Sequence, residues 1–419
     1  MTQASTYKHT PIALIGGGLT TQVVAISLVH SGFDFIWFSG LQDSQIDNND
    51  TRTTTIHHAG QLMLDALGIW KNLPKPAHPI TQIAVAGAQH TAHKSRSRPK
   101  DWPLRWKHTD PPMAWVLHNH DLKEACAAKI RAQLKKQQVQ PVLIEEIIEG
   151  QPFFLRDCTG KSWSSDLVIA CDGANSRLRQ QAGLSVIDQS RNETAFVTTV
   201  RTERSIGTTA YQRFLPTGPL ALMPTGPKTA SVVWSLPDSQ ATALARQDQN
   251  AVSEALYAAF GDELGRLNLL SASLNWPLKP SFCPRISKPG FILAGDAAHA
   301  LHPLAGMGFN LALADAAVLL DCLQNAAKKG LTPAHASVST AYQSRRKLEI
   351  LAMTSATQGL NKLLTRKSDP FYQMACIGMS ILGQVPARQM LSELVMNGKL
   401  THAPLFSGQV NSLKQGMER

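Results

Sequence analysis

The stretch IALIGGGLTTQVVAISLVHSG, residues 12–32, decides the fold. A short apolar run enters a glycine turn, and apolar residues then recur at helical spacing until Gly32. The next stretch, FDFIWFSG at residues 33–40, is a second apolar run of strand length. A strand, a tight turn, a helix and a second strand form a βαβ unit, which requires parallel strand pairing. The sequence therefore predicts an α/β fold.

The glycine turn indicates a nucleotide site with one residue out of place. Gly16 allows the tight turn, and Gly18 lets backbone amides approach a pyrophosphate at the start of the helix. Thr21 stands where a third small residue is usual, and Ser39 stands where a ribose-binding carboxylate usually ends the second strand. A glycine turn alone is weak evidence, so the stretches that follow decide between a working site, a site with altered packing and a remnant.

A second motif lies in GFILAGDAAHALHPLAGMGFNLALADAAVLLDCL, residues 290–323. An apolar strand ends at Gly295-Asp296, and the turn Gly306-Met307-Gly308 opens a helix. Asp296 can accept a hydrogen bond from a sugar or ribityl hydroxyl, and the amides at the helix start can stabilise negative charge on a bound ring. The alternative is an ordinary strand–turn–helix with the aspartate as a cap. Two glycines and a proline in the same turn disfavour that alternative.

The third motif is ACDGANSRLR, residues 170–179, at the end of another apolar run. Asp172-Gly173 forms a strand-to-loop turn, with Arg177 and Arg179 following. Taken alone, the pattern favours a simple turn with two solvated arginines.

Composition narrows the class of protein. The chain has 419 residues, 17% of them charged, and a net charge of +11, which favours an anionic partner such as a phosphorylated cofactor or an anionic lipid surface. The basic residues are scattered and no reader motif is present, so the sequence predicts no nucleic-acid partner. None of the six cysteines forms a CxxC pair, so no metal site and no dithiol redox motif is predicted.

Two further predictions concern later segments and location. Strand-like runs separated by Gly and Pro turns over residues 194–236 predict an antiparallel sheet in a second domain. The chain starts without a signal-peptide pattern, and no apolar run approaches the ~20 residues that span a bilayer, so we expect a cytoplasmic protein. The apolar segment 369–391 fits either a helix lying on the inner face of the membrane or against a partner, or a helix packed in the core.

Taken in order, the motifs resemble the FAD-dependent aromatic hydroxylases of ubiquinone biosynthesis, the UbiH/VisC-like family. The segments that carry the resemblance are LIGGGLTT, DTRTTT, LVIACDGANSRLR, YQRFLPTGPLALMP, VVWSLP and GDAAHALHPLAGMGFNLALADA. It covers nearly the whole chain and implies a Rossmann-like FAD-binding domain, interleaved with a smaller antiparallel-sheet substrate domain and followed by a helical C-terminal region. The implied boundaries are 8–75, 108–186 and 286–345 for the FAD-binding domain, 76–107 and 187–285 for the substrate domain, and 346–419 for the C-terminal region.

The resemblance also assigns cofactor contacts. Gly16 and Gly18 match the pyrophosphate turn, and Arg52 matches an arginine that contacts cofactor phosphate. Asp172 and Gly173 match a motif linked to FAD and NADPH, and Asp296 matches the ribityl-binding aspartate. The turn against the flavin ring is matched by Pro303 and by the backbone amides from Gly306 through Gly308 to Asn310. No catalytic acid or base is assigned, because His299 and His302 beside a cofactor turn are more often structural hydrogen-bonding residues.

Four positions depart from the family pattern, namely Thr21, Ser39, His120 and Met307.

The resemblance implies a monooxygenase that uses NAD(P)H and O2 to hydroxylate the ring of a polyprenylated phenol. It also implies other ubiquinone-biosynthesis proteins as partners. Two alternatives stay open. One is a catalytically silent homologue with weak or no FAD binding that acts as a scaffold, and the other is a different flavin-dependent aromatic hydroxylase.

Overall fold

The computed structural model describes residues 7–40, 50–87, 102, 104–135, 138–303, 306–364 and 401–409. In chain order the strands are β1 Lys8–Ile15, β2 Ile36–Phe38, β3 Thr53–His57, β4 His78–Ile80, β5 Gln82–Ala86, β6 Leu104–Lys107, β7 Ala114–His118, β8 Val139–Gln140, β9 Ile144–Ile148, β10 Phe153–Asp157, β11 Ser162–Ala170, β12 Ile187–Asp188, β13 Glu193–Thr202, β14 Thr209–Leu215, β15 Gly218–Gly226, β16 Thr229–Pro237, β17 Leu267–Leu269, β18 Leu274–Leu278, β19 Ser281–Phe282, β20 Ser287–Lys288, β21 Phe291–Leu293 and β22 His299–Ala300. The α-helices are α1 Leu19–His30, α2 His58–Ala66, α3 Asn119–Gln133, α4 Arg177–Gln181, α5 Asp238–Ala245, α6 Gln249–Phe260, α7 Met307–Lys328 and α8 Ala336–Leu364.

The first sheet is built around β1, as the opening stretch predicts. Strand β1 pairs in parallel with β2 on one side and with β11 on the other, and β11 pairs in parallel with β21. Ile12, Ala13 and Leu14 are fully buried, because helices cover a parallel sheet on both faces and leave its central strands no exposed side. The βαβ unit and the mostly parallel sheet are confirmed.

The second large sheet is antiparallel except for one pair and has two different faces. On one face Phe196, Trp234 and Leu220 lie on neighbouring strands and belong to a core that includes residues of α5 and α6. Residues that alternate with them, such as Val197 and Val233, point to the opposite face. That opposite face turns towards the ends of the first sheet.

The helices around the first sheet join its motifs to the C-terminal part. Helix α1 packs against α3 and α7, and α7 packs against α8. By length and composition α7 could cross a membrane, contrary to the expectation of no such apolar segment, but 78% of its most apolar 18-residue window is buried inside the protein. We therefore interpret α7 as a helix of the protein core. The apolar segment 369–391 lies outside the described residues.

Candidate functional site

A cavity of about 840 Å³ lies where the ends of the first sheet meet the second sheet. This is within the range of about 300–1,000 Å³ that is usual for ligand and cofactor sites. Eight of the ten sequence-predicted cofactor residues line it: Gly18, Arg52, Asp172, Gly173, Asp296, Pro303, Gly306 and Gly308. Gly16 and Asn310 do not belong to its described lining, and both act behind the cavity wall.

Gly16 keeps the first turn close to the neighbouring strand. Its φ is +140°, and a Cβ there would lie 2.4 Å from the Cys171 carbonyl oxygen and 2.6 Å from Thr21 Oγ1. Gly18 caps α1, and a Cβ on it would meet nothing within 4 Å, so its backbone is open to the cavity. Thr21 is fully buried, and its hydroxyl donates to the Cys171 carbonyl at 3.4 Å. Thr21 therefore alters the packing between helix and strand and leaves the open turn at Gly18 in place.

Arg52 is fixed in the cavity wall by a buried carboxylate. Its Nε and Nη2 donate to the two oxygens of Asp50 at 2.7 and 2.8 Å, and its guanidinium lies over the ring of Trp276 at 4.4 Å. Burial raises the pKa of Asp50, but the hydrogen bonds and charge of Arg52 outweigh this and lower it. Asp50 is therefore ionised, and Arg52 and Trp276 close one side of the cavity between the two sheets.

Two other carboxyl groups, Asp172 and Asp296, line the cavity, and their pKa values shift in the opposite direction from that of Asp50. Burial raises the pKa of Asp172, and it also raises the pKa of Asp296, where the charge of Asp315 adds to the effect. Asp172 Oδ1 is shielded from solvent and has no hydrogen-bond partner among the described residues. Asp172 therefore has a carboxylate oxygen available for a donor such as a sugar hydroxyl.

The second turn is anchored by the side chain of Asn310. Its Nδ2 donates to the Thr55 and Gly306 carbonyls at 2.7 and 2.8 Å, and its Oδ1 accepts from the His57 amide at 2.9 Å. The side chain thus joins β3 to the start of α7 and is occupied by these bonds. What this turn presents to the cavity is the start of α7 around Gly306 and Gly308.

Sequence reasoning missed the buried charge network behind Asp296. Asp315 accepts from the Gly295 amide at 2.8 Å and lies 2.6 Å from His299 Nε2 and 2.7 Å from Arg346 Nε. The Arg346 guanidinium also pairs with Glu349. An aspartate within the apolar run LALADAAVLL was the available signal. His299 acts as a structural partner in this network, whereas buried His302 has its Nε2 3.3 Å from Glu193 Oε2.

None of the four departures from the family pattern belongs to the described cavity lining. Besides Thr21, buried Ser39 directly follows β2 and has a hydroxyl that lacks a partner among the described residues, and Met307 is half-buried at the start of α7. His120 lies 3.7 Å from Glu124 on its own helix. In place of His120, Asn119 and Lys123 of α3 line the cavity, and sequence reasoning did not identify either of them.

Comparisons with known proteins agree with this geometry. The family model described as an FAD binding domain matches residues 9–357. Ubiquinone hydroxylase UbiL of Rhodospirillum rubrum is 27% identical over 370 residues, which cover 87% of this chain and 83% of that protein. The 3-demethoxyubiquinol 3-hydroxylase of Escherichia coli is 28% identical over 357 residues, which cover 84% of this chain and 88% of that protein.

A similar fold is found among solved structures. The p-nitrophenol 4-monooxygenase PnpA of Pseudomonas putida superposes with a TM-score of 0.72 over 95% of this chain and 99% of that chain, at 17% identity. At that identity the likeness concerns the fold, while the family match and the two relatives concern the class of protein. The chain therefore belongs to the FAD binding domain family, as a flavin-dependent monooxygenase of the branch that contains the ubiquinone hydroxylases.

Proposed function

We propose that this protein hydroxylates the aromatic ring of a polyprenylated phenol in ubiquinone biosynthesis, using FAD, NAD(P)H and O2. One observation carries the proposal: a single cavity brings the cofactor motifs of the first sheet against an apolar face of the second sheet. The names of the two ubiquinone-pathway relatives support the substrate class.

The residues of the cavity fit FAD. Gly18 and Gly308 each leave open space where a Cβ would stand, so backbone amides at two helix starts are accessible to an anionic or electron-rich group. Asp172 offers an unpartnered carboxylate oxygen, and Asp296 reaches the same cavity. Carboxylates accept hydrogen bonds from hydroxyl groups, which the ribityl and ribose parts of FAD carry. When bound, FAD supplies hydride acceptance from NAD(P)H and the activation of O2.

The protein's own part is to position the ring and to exclude water. Ala221, Val233 and Leu278 line the cavity from the second sheet and carry no hydrogen-bonding side chain. Holding two reactants in the reacting geometry can lower the activation barrier by up to about 7–11 kcal/mol. An apolar cavity wall also excludes water, which prevents side reactions with the solvent. We assign no side chain as a catalytic acid or base.

An apolar row on the second sheet runs from the cavity lining to the sheet edge, and we propose that the prenyl tail follows this side. Leu274 stands opposite Val197, Val197 opposite Val233, and Val233 opposite Ala221, so these four side chains share one face of the sheet. Val233 and Ala221 line the cavity, whereas Leu274 lies on the sheet edge and is 41% exposed. The face of the sheet between the cavity lining and this edge is therefore apolar, which supports a hydrophobic substrate tail on this side.

The location that we propose is the cytoplasm at the inner face of the membrane. A polyprenyl tail favours the bilayer by about 0.8 kcal/mol per buried CH2 group, so an enzyme acting on it gains by meeting the membrane surface. Other ubiquinone-biosynthesis proteins are the partners that we propose there.

The test uses the full-length protein. We expect the purified protein to be yellow or to take up added FAD, and to oxidise NADPH faster with prenylated phenols than with phenols lacking the tail. Mass spectrometry should then find one oxygen atom from O2 in the product. A colourless protein that does not take up FAD would support the scaffold alternative, and preferential turnover of untailed phenols would support a different aromatic hydroxylase.

A further inference from the structure

Two cationic side chains share the cavity wall with the first glycine turn. Arg52 precedes β3, Lys123 lies near the start of α3, and both line the cavity together with Gly18. The two elements are joined directly, because the Asn119 amide donates to the Arg52 carbonyl at 3.0 Å and Thr54 donates to Asn119. The cations therefore belong to one local framework.

Asp50 orients both cations. Arg52 forms the two-point contact with its carboxylate described above, while Lys123 Nζ lies 3.5 Å from Asp50 Oδ2. Among the described residues Lys123 makes this ion pair at the outer limit of hydrogen-bond distance, so its ammonium retains donors for another partner. Asp50 is buried, with only 4% of its side chain exposed, whereas 30% of the Lys123 side chain is accessible.

The local charge favours an anion in front of these residues. Among the described residues, Arg52 and Lys123 set two positive charges against the one negative charge of Asp50, and Gly18 brings the partially positive N-terminus of α1 to the same cavity. The cofactor of the family, FAD, has a pyrophosphate, which binds at such a glycine turn. We propose that Lys123 is a pyrophosphate-binding residue of the FAD site, positioned by the carboxylate of Asp50 that also fixes Arg52.

A purely structural ion pair between Lys123 and Asp50 would behave differently. Loss of such a pair would weaken the binding of every ligand that needs the folded wall. Loss of a phosphate contact weakens only ligands that carry phosphate. Riboflavin, which has the flavin ring and ribityl chain without phosphate, therefore separates the two roles.

The experiment measures the dissociation constants of FAD, ADP and riboflavin for the full-length apoprotein by calorimetry. We expect Lys123→Met to weaken FAD and ADP about 10- to 100-fold, the size of one hydrogen bond to a charged group, while riboflavin binding changes less than about twofold. Lys123→Arg should restore most of the FAD affinity. Lys129→Met is the matched control, because Lys129 lies on the same helix and outside the cavity lining.

Two outcomes would overturn the assignment. One is an FAD affinity within about twofold of the wild type, and the other is a loss of riboflavin affinity equal to the loss for FAD. Circular dichroism melting checks that each variant folds. If Lys123→Met does not fold, Lys123→Gln, which keeps a polar chain of similar length, provides the same comparison.

Discussion

Asp315 and Arg346 form an ion pair at 2.7 Å with both side chains fully excluded from solvent. Asp315 lies on α7 and also accepts from the amide of Gly295, the residue before Asp296, while Arg346 lies on α8. The pair therefore ties the strand end that presents Asp296 to α8.

Removing the Asp315 charge should destabilise the protein strongly. Asp315→Asn leaves Arg346 in the interior without its full counter-charge, which typically costs about 3–5 kcal/mol. Asp321→Asn is the control, because its ion pair with Arg345 on the same two helices is partly exposed and is worth at most about 1 kcal/mol. Denaturant unfolding of both variants checks the difference, and equal losses would contradict the central role of Asp315.

The stability that Asp315 contributes to the folded protein should also depend on pH. Burial raises the pKa of this carboxyl, but His299 and Arg346 outweigh burial and lower it. A carboxyl whose pKa is lower in the folded state stabilises the protein above its unfolded pKa, and this stability is lost as pH falls through the folded value. The difference in the free energy of unfolding between wild type and Asp315→Asn should therefore become smaller in acid. Denaturant unfolding at several pH values measures it.

Asp172→Asn should stabilise the apoprotein and weaken its FAD binding. Burial raises the pKa of Asp172, so the folded state is penalised at neutral pH, where the carboxylate is ionised in the unfolded chain. The substitution removes this penalty but also removes a charged acceptor. We expect a higher melting temperature at pH 7 and weaker FAD binding.

The same variant has an internal control in its pH profile. As pH falls below the usual carboxyl range, Asp172 becomes neutral in both states, so the difference in melting temperature should disappear. A difference that persists unchanged in acid would show that the carboxylate's charge is not its cause.

Asp296→Ala should lower flavin occupancy. Asp296 lines the cavity in the turn that follows β21, and a hydrogen bond to a charged acceptor is worth about 1.5–3 kcal/mol, or about 10- to 100-fold in affinity. The visible absorbance of the purified protein and a titration with FAD provide the measurement. Asp34→Ala, an exposed carboxylate outside the cavity lining, should leave occupancy unchanged. Unchanged occupancy in Asp296→Ala would refute the assignment.

Gly306→Ala and Gly308→Ala should fail in different ways. Gly306 has a φ of +63°, and a Cβ there would lie 2.6 Å from Thr55 Cβ, so the substitution should destabilise the fold. At Gly308 a Cβ would meet nothing within 4 Å, and alanine favours a helix by about 1 kcal/mol over glycine. Gly308→Ala should therefore keep or raise the melting temperature yet weaken FAD binding, because its methyl group enters the cavity. Thermal melts of the apoproteins and FAD titrations distinguish the two, and intact FAD binding in Gly308→Ala would remove this turn from the cofactor site.

The amino-acid sequence by itself determined the βαβ unit and the order of the motifs. Buried parallel strands require continuous apolar runs, and the turns at Gly16 and Gly306 require backbone conformations that glycine adopts readily, so both leave a local record in the sequence. The resemblance to the FAD-dependent hydroxylases rests on these local records taken in order.

Only the tertiary structure decided which side chains face the cavity and what they pair with. The backbone amide of Asn310 was predicted at the flavin turn, and only the structure shows that its side chain holds Thr55, 255 positions away in the chain. Lys123 lines the cavity, whereas His120 on the same helix turns to Glu124. Side-chain direction and charge pairing between distant elements depend on packing, which local sequence patterns do not record. For that reason the glycine turns were predictable, while the partners of Asp50, Lys123 and Asp315 were not.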